Sequence, residues 1–215
     1  MPTTLQSNQT LLFIGDSITD CARNQADVPL GVGYVRMFSD LLTIREPAKR
    51  VRIINRGISG HTVEDLRARW SDHVLSHRPD WLVVTIGIND INRWLVAPET
   101  NPHQSREQFA AMYDQIVALT LAALPETKIL LVSPFFASRD TTPDSYRARV
   151  LATIPGYVEA AHTTALRHGC RFLDLHAAVS ELLNDLSPDV FAEDAVHPGP
   201  AGALFIAEQI YAGLT

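Results

Sequence analysis

Short, nearly continuous apolar runs punctuate the chain at residues 11–14, 51–54, 81–86, 129–132 and 172–175. Each has strand length and lacks polar alternation, the pattern of strands covered on both faces. Amphipathic segments lie between them. Thr62 can cap a helix bearing Val63, Leu66, Trp70 and Val74 on one side. Phe109, Met112, Ile116, Leu119 and Ala123 form a second stripe, and Leu204, Ala207, Ile210 and Leu214 a third. Strand and helix in alternation predict an α/β chain: a three-layer α/β/α sandwich around a five-stranded parallel sheet in flavodoxin-like order. No repeat or linker interrupts the 215 residues, so one domain is expected over 1–215. Residues 92–103 and 135–145 carry prolines and turn residues and are expected as irregular loops at the sheet edge where such folds bind ligands.

The ends of the predicted strands carry the chemistry. The first ends in Gly15-Asp16-Ser17-Ile18. Glycine permits a sharp exit, and Ser17 then opens the next segment, where backbone N–H groups favour developing negative charge. A serine in that place also serves as a simple helix cap. The second strand ends in Asn55-Arg56-Gly57-Ile58-Ser59-Gly60, and the Gly57 N–H is a candidate oxyanion donor. The third ends in Gly87-Ile88-Asn89-Asp90, where the Asn89 amide can donate to the same oxyanion or bond its own turn. Near the C-terminus, Asp194-Ala195-Val196-His197 puts a carboxylate three residues before an imidazole. That spacing lets Asp194 hold Nδ1–H and frees Nε2 to take a proton from a serine. Each segment alone reads as an ordinary turn. Together they supply a nucleophile, two oxyanion donors, a base and its orienter, and the expected strand order brings the first three turns to one crevice.

Composition narrows the partners. A net charge of −6 and a pI near 5.7 argue against nucleic acid and against an anionic membrane surface. Cys21 and Cys170 form no CxxC pair, the N-terminus does not read as a signal peptide, and no apolar stretch has membrane-spanning length. A cytoplasmic protein is expected. GxSxG, GxGxxG, P-loop and HExxH motifs are all missing, so neither the usual α/β-hydrolase elbow nor a nucleotide or zinc site is expected.

The segments Gly15-Asp16-Ser17, Gly57, Gly87-Ile88-Asn89-Asp90 and Asp194 to His197 resemble, in order, the four sequence blocks of the SGNH hydrolases, or GDSL-type esterases. The resemblance runs from about Leu11 through the C-terminal helix. It implies the SGNH hydrolase fold, Ser17 as nucleophile, His197 as base and Asp194 as its partner. It also implies an oxyanion hole of the Ser17 N–H, the Gly57 N–H and Asn89 Nδ2. Residues 11–20, 57–70 and 81–93 look most like the xylan acetylesterase branch, which removes acetyl groups from sugar hydroxyls without metal or other cofactor. The implied function is a serine esterase acting on short acyl esters of small molecules or oligosaccharides. An acyl thioesterase or lysophospholipase of the same superfamily, or a sugar-binding protein without catalysis, stands as the alternative.

Further residues are candidates for the rim. His61 follows Gly60 and can face the pocket. Arg93 can hydrogen-bond substrate, and Trp94 can stack on a sugar face or pack at a subunit contact in a homo-oligomer. Phe135 and Phe136 can line the pocket or belong to the core. Asp16 is expected to bond backbone near the nucleophile, Asp90 to organise its turn, and Cys21 to be a buried spacer rather than a rival nucleophile.

Overall fold

The computed structural model describes residues 1–25 and 28–215. The strands are β1 (Thr10–Gly15), β2 (Arg52–Asn55), β3 (Trp81–Thr85), β4 (Lys128–Val132) and β5 (Arg171–Leu173). All pair in parallel, in the order β2-β1-β3-β4-β5. Leu11 to Ile14 and Leu82 to Val84 are fully buried, as expected for central strands covered on both faces. β5 is a half-buried edge.

The helices are α1 (Ser17–Asp20), α2 (Tyr34–Arg45), α3 (Val63–Ala68), α4 (Trp70–His73), α5 (Ile88–Val96), α6 (Arg106–Ala123), α7 (Tyr146–His168), α8 (Leu175–Leu182) and α9 (Pro200–Gly213). α2 packs on α9, while α6 lies between α3 and α7. These two groups cover opposite faces of the sheet and complete the three-layer α/β/α sandwich. Among the described residues, no helix is long and apolar enough to cross a membrane.

Three details differ from the sequence reading. The Thr62 cap forms, with a reciprocal bond to Asp65, but the helix breaks at Arg69 between α3 and α4. Leu119 and Leu204 lie 48% and 46% exposed, because α6 buries Tyr113, Val117 and Thr120 and α9 buries Ala203 and Ile206 instead. Residues 92–96 continue α5 rather than forming a loop. Ile88 and Ile91 bury its inner face, and the helix stops just before Pro98, which cannot continue it. The segment 135–145 is irregular, as expected.

Parallel pairing puts the C-terminal ends of all strands on one edge. β1 sits between β2 and β3, so the turns leaving these strands meet there, at the point where the chain's winding reverses.

Candidate active site

Ser17 is the first residue of α1, and the Asp16 side chain caps it by accepting from Ile18 N–H at 3.0 Å. Asp16 is buried, and that burial raises its carboxyl to about 7 despite the Ile18 bond and the nearby His197. Ser17 Oγ lies 3.0 Å from His197 Nε2, and His197 Nδ1 lies 2.6 Å from Asp194 Oδ2. The other carboxylate oxygen, Oδ1, accepts the backbone N–H groups of Val196 at 2.9 Å and His197 at 2.7 Å. Burial pushes the Asp194 carboxyl up, but the bonds from His197 and Val196 outweigh it and hold the group below its ordinary value. A charged Asp194 requires the proton of a neutral His197 to sit on Nδ1, which leaves Nε2 facing Ser17 as an acceptor. The loop itself is held by Ala137 N–H donating to Ala195 O at 2.8 Å and by the Arg147 guanidinium donating to Glu193 O at 3.1 Å.

The expected oxyanion donor Gly57 is corrected by the structure. Its N–H donates to Asn55 Oδ1 at 2.8 Å, and a Cβ there would come within 2.2 Å of Asp20 N. Gly57 is a buried packing glycine under α1. The open donor of this loop is Gly60, which is exposed, has φ +80°, and has no acceptor for its N–H among the described residues. The loop around it is fixed from several sides. Asp20 Oδ2 accepts from Ser59 N–H at 3.1 Å and from its hydroxyl at 2.7 Å, while Arg93 donates to Gly60 O at 2.9 Å. Asn89 Nδ2 donates one hydrogen to His61 O at 3.0 Å and keeps a second. The Ser17 N–H also has no acceptor among the described residues. Three donors on the turns after β1, β2 and β3 are therefore uncommitted.

The remaining candidates separate. Arg93 is occupied by Gly60 O and by Asp65 at 3.7 Å, so it supports the loop. Trp94 is half-buried and lies about 140° around α5 from Asn89, off the face that carries the donor. His61 is half-buried and its Nδ1 accepts from Arg69 at 3.1 Å. Phe135 and Phe136 are 0% and 1% exposed, which makes them core residues and corrects the pocket-lining assignment of Phe135. Asp90 accepts the Val63 N–H at 3.2 Å and so joins α5 to α3. Burial, then Asp20 and Asp16, push the Cys21 thiol up, so it stays protonated and makes a poor nucleophile. Among the described residues no cluster of three His, Cys, Asp or Glu side chains is arranged to hold a metal.

A doubly wound sheet with a serine, histidine and aspartate in hydrogen-bonded series at its switch point has the arrangement of a serine hydrolase. The chain belongs to the GDSL-like Lipase/Acylhydrolase family, whose model matches residues 13–204. It is 36% identical over 208 residues to an acetylxylan esterase of Geobacillus stearothermophilus, covering 94% of this chain and 91% of the relative. The crystal structure of Axe2, an acetylxylan esterase from the same organism, is similar with a TM-score of 0.87 and 33% identity over 97% of this chain and 95% of that one. Catalytic mutants of Axe2 replace a serine, an aspartate and a histidine three positions after the aspartate. LAE5, an alpha/beta hydrolase from the metagenome of Lake Arreo, Spain, matches with a TM-score of 0.88 and 33% identity over 98% of this chain and 96% of its own.

Proposed function

We propose that the chain is a serine esterase that removes short acyl groups, acetyl above all, from sugar hydroxyls such as those of acetylated xylo-oligosaccharides. The observation that carries this is the Ser17–His197–Asp194 series with its 3.0 and 2.6 Å contacts, in a chain similar over nearly its whole length to an acetylxylan esterase. His197 Nε2 takes the Ser17 proton as Oγ attacks the ester carbonyl. The Ser17 and Gly60 amides and Asn89 Nδ2 receive the oxyanion. His197 then protonates the leaving sugar oxygen, and water, deprotonated in turn by His197, releases the acid from Ser17.

The Asp194 and His197 side chains are 56% and 58% exposed, so the reacting atoms sit at the rim. That suits an ester carried on a bulky hydrophilic sugar. Two surface cavities of about 580 and 570 Å³ are lined by other residues, the first between α6 and α7 and the second beside Met1 and Tyr211. The complete hydrogen-bonded series gives no support to a non-catalytic sugar-binding role. One continuous sheet supports a single catalytic domain over the chain, and two unpaired cysteines support a cytoplasmic setting.

A serine-directed phosphonate is expected to label Ser17, located by peptide mass mapping, and Ser17→Ala is expected to abolish acetate release. Label on another serine, or activity surviving in Ser17→Ala, overturns the reading. Acetyl esters are expected to turn over faster than octanoyl esters. The reverse order ends the short-chain claim.

A further inference from the structure

Arg69, at the break between α3 and α4, is half-buried, and among the described residues no carboxylate pairs with it. A half-buried guanidinium whose favourable charges, Asp65 and Asp20, lie beyond ion-pair contact is costly, so its acceptors matter. Nη2 donates to Gly15 O at 3.0 Å, one residue before the turn that bears Ser17. Nη1 donates to Arg56 O at 2.7 Å, on the chain leaving β2, and contacts His73 Nδ1 at 2.8 Å. Nε donates to His61 Nδ1 at 3.1 Å, on the residue after Gly60. His61 in turn accepts from Asn89 Nδ2 at its carbonyl.

We propose that Arg69 is a positioning residue that aligns the three oxyanion donors, acting on the Ser17 amide through Gly15 and on the Gly60 amide and Asn89 through His61. The inference rests on the esterase reading above. One rigid fork reaches the turns after β1 and β2, which a flexible lysine ammonium could not do in the same geometry. The fork also sets a proton. A guanidinium has only donors, so His61 and His73 must each present an unprotonated Nδ1 and carry their single hydrogen on Nε2. Burial and then Arg69 hold both imidazoles below their ordinary value, which agrees with neutral rings.

The test is a mutant cycle on a small acetyl ester, run beside Ser17→Ala. Arg69→Met is expected to lower kcat by roughly ten- to a hundredfold, the scale of a small misplacement at a reacting centre, with KM little changed. His61→Leu, which leaves both carbonyl bonds of Arg69 in place, is expected to lower kcat by less. The double variant is expected to be no slower than Arg69→Met alone, because both changes cut the same link. Nitrogen-15 NMR of the unmodified protein at neutral pH is expected to show His61 and His73 neutral with the proton on Nε2. Wild-type kcat in Arg69→Met, fully independent losses in the double variant, or an Nδ1–H or charged His61 each overturns the proposal. Should Arg69→Met not fold, an unchanged kcat in His61→Leu or the wrong His61 tautomer does so. If Ser17→Ala keeps activity, the esterase reading itself fails. A dead Ser17→Ala beside an unimpaired Arg69→Met removes only the role of Arg69.

Discussion

Replacing Asp16 by asparagine isolates one buried charge. Asp16 is 1% exposed, and burial, offset only in part by the Ile18 N–H and by His197, raises its carboxyl from 3.8 to about 7. Below the unfolded value both folded and unfolded chains are protonated there, and the residue is neutral to stability. As pH rises from about 4 to about 7 the unfolded chain ionises while the folded chain keeps its proton, so stability falls. Above about 7 both are ionised and the full penalty stands. At about 1.4 kcal/mol per pKa unit the gap amounts to about 4 kcal/mol, of which about 3 kcal/mol develops between about pH 4.5 and pH 8. Asparagine keeps an oxygen that accepts the Ile18 N–H, so the cap survives. Urea unfolding of both proteins at the two pH values measures this, and the difference between them cancels the other carboxylates. The Asp16→Asn variant is expected to gain on the unmodified protein by that amount toward alkaline pH. A difference that stays flat with pH, or that widens toward acid, refutes the buried-carboxylate argument.

Asp194→Asn is expected to stabilise the wrong imidazole tautomer and lower kcat by roughly 10⁴-fold on an acetyl ester. Unchanged turnover removes Asp194 from the proton relay. Asn89→Ala is expected to lower kcat by roughly 10²–10³-fold, the usual loss for one oxyanion donor, and full activity assigns its amide to His61 O alone. Gly57→Ala is expected to destabilise by roughly 3 kcal/mol, because its Cβ would meet the backbone of α1. Gly60→Ala meets open space and incurs only the left-handed penalty of about 1–2 kcal/mol. Denaturant titration separates the two, and equal losses refute the division of labour between these glycines.

The sheet was legible because its central strands are covered on both faces. A nearly continuous apolar run as short as 81–86 suits a strand buried on both sides, and β3 forms at Trp81–Thr85. Helix faces were harder. From Ile116 the stripe can step to Leu119 or to Val117 and Thr120, and periodicity alone does not choose. The choice was made by tertiary packing, where Thr120 Oγ1 receives the Trp70 indole N–H at 2.9 Å. α7 carries Pro155 in its interior, a residue that reads as a helix breaker and hides the helix from a sequence pattern.

At the site, the groups carried by short motifs were legible, and the side chains that brace those motifs from outside were not. Asp194 and His197 are three residues apart, so their contact follows from local spacing. The choice between Gly57 and Gly60 needed a further step that the sequence did contain. An asparagine two residues before a glycine commonly turns its side-chain oxygen onto that glycine's N–H, and Asn55 does so to Gly57. A donor already bonded in this way cannot serve an oxyanion, which leaves the next glycine along the loop. By contrast, Arg69 reaching Gly15 and Arg93 reaching Gly60 join segments whose proximity only the closed sheet creates. The proposed reacting groups are thus written in short motifs, while the cations that brace those motifs, Arg69 at the α3–α4 break and Arg93 in α5, become visible only once the strands are paired.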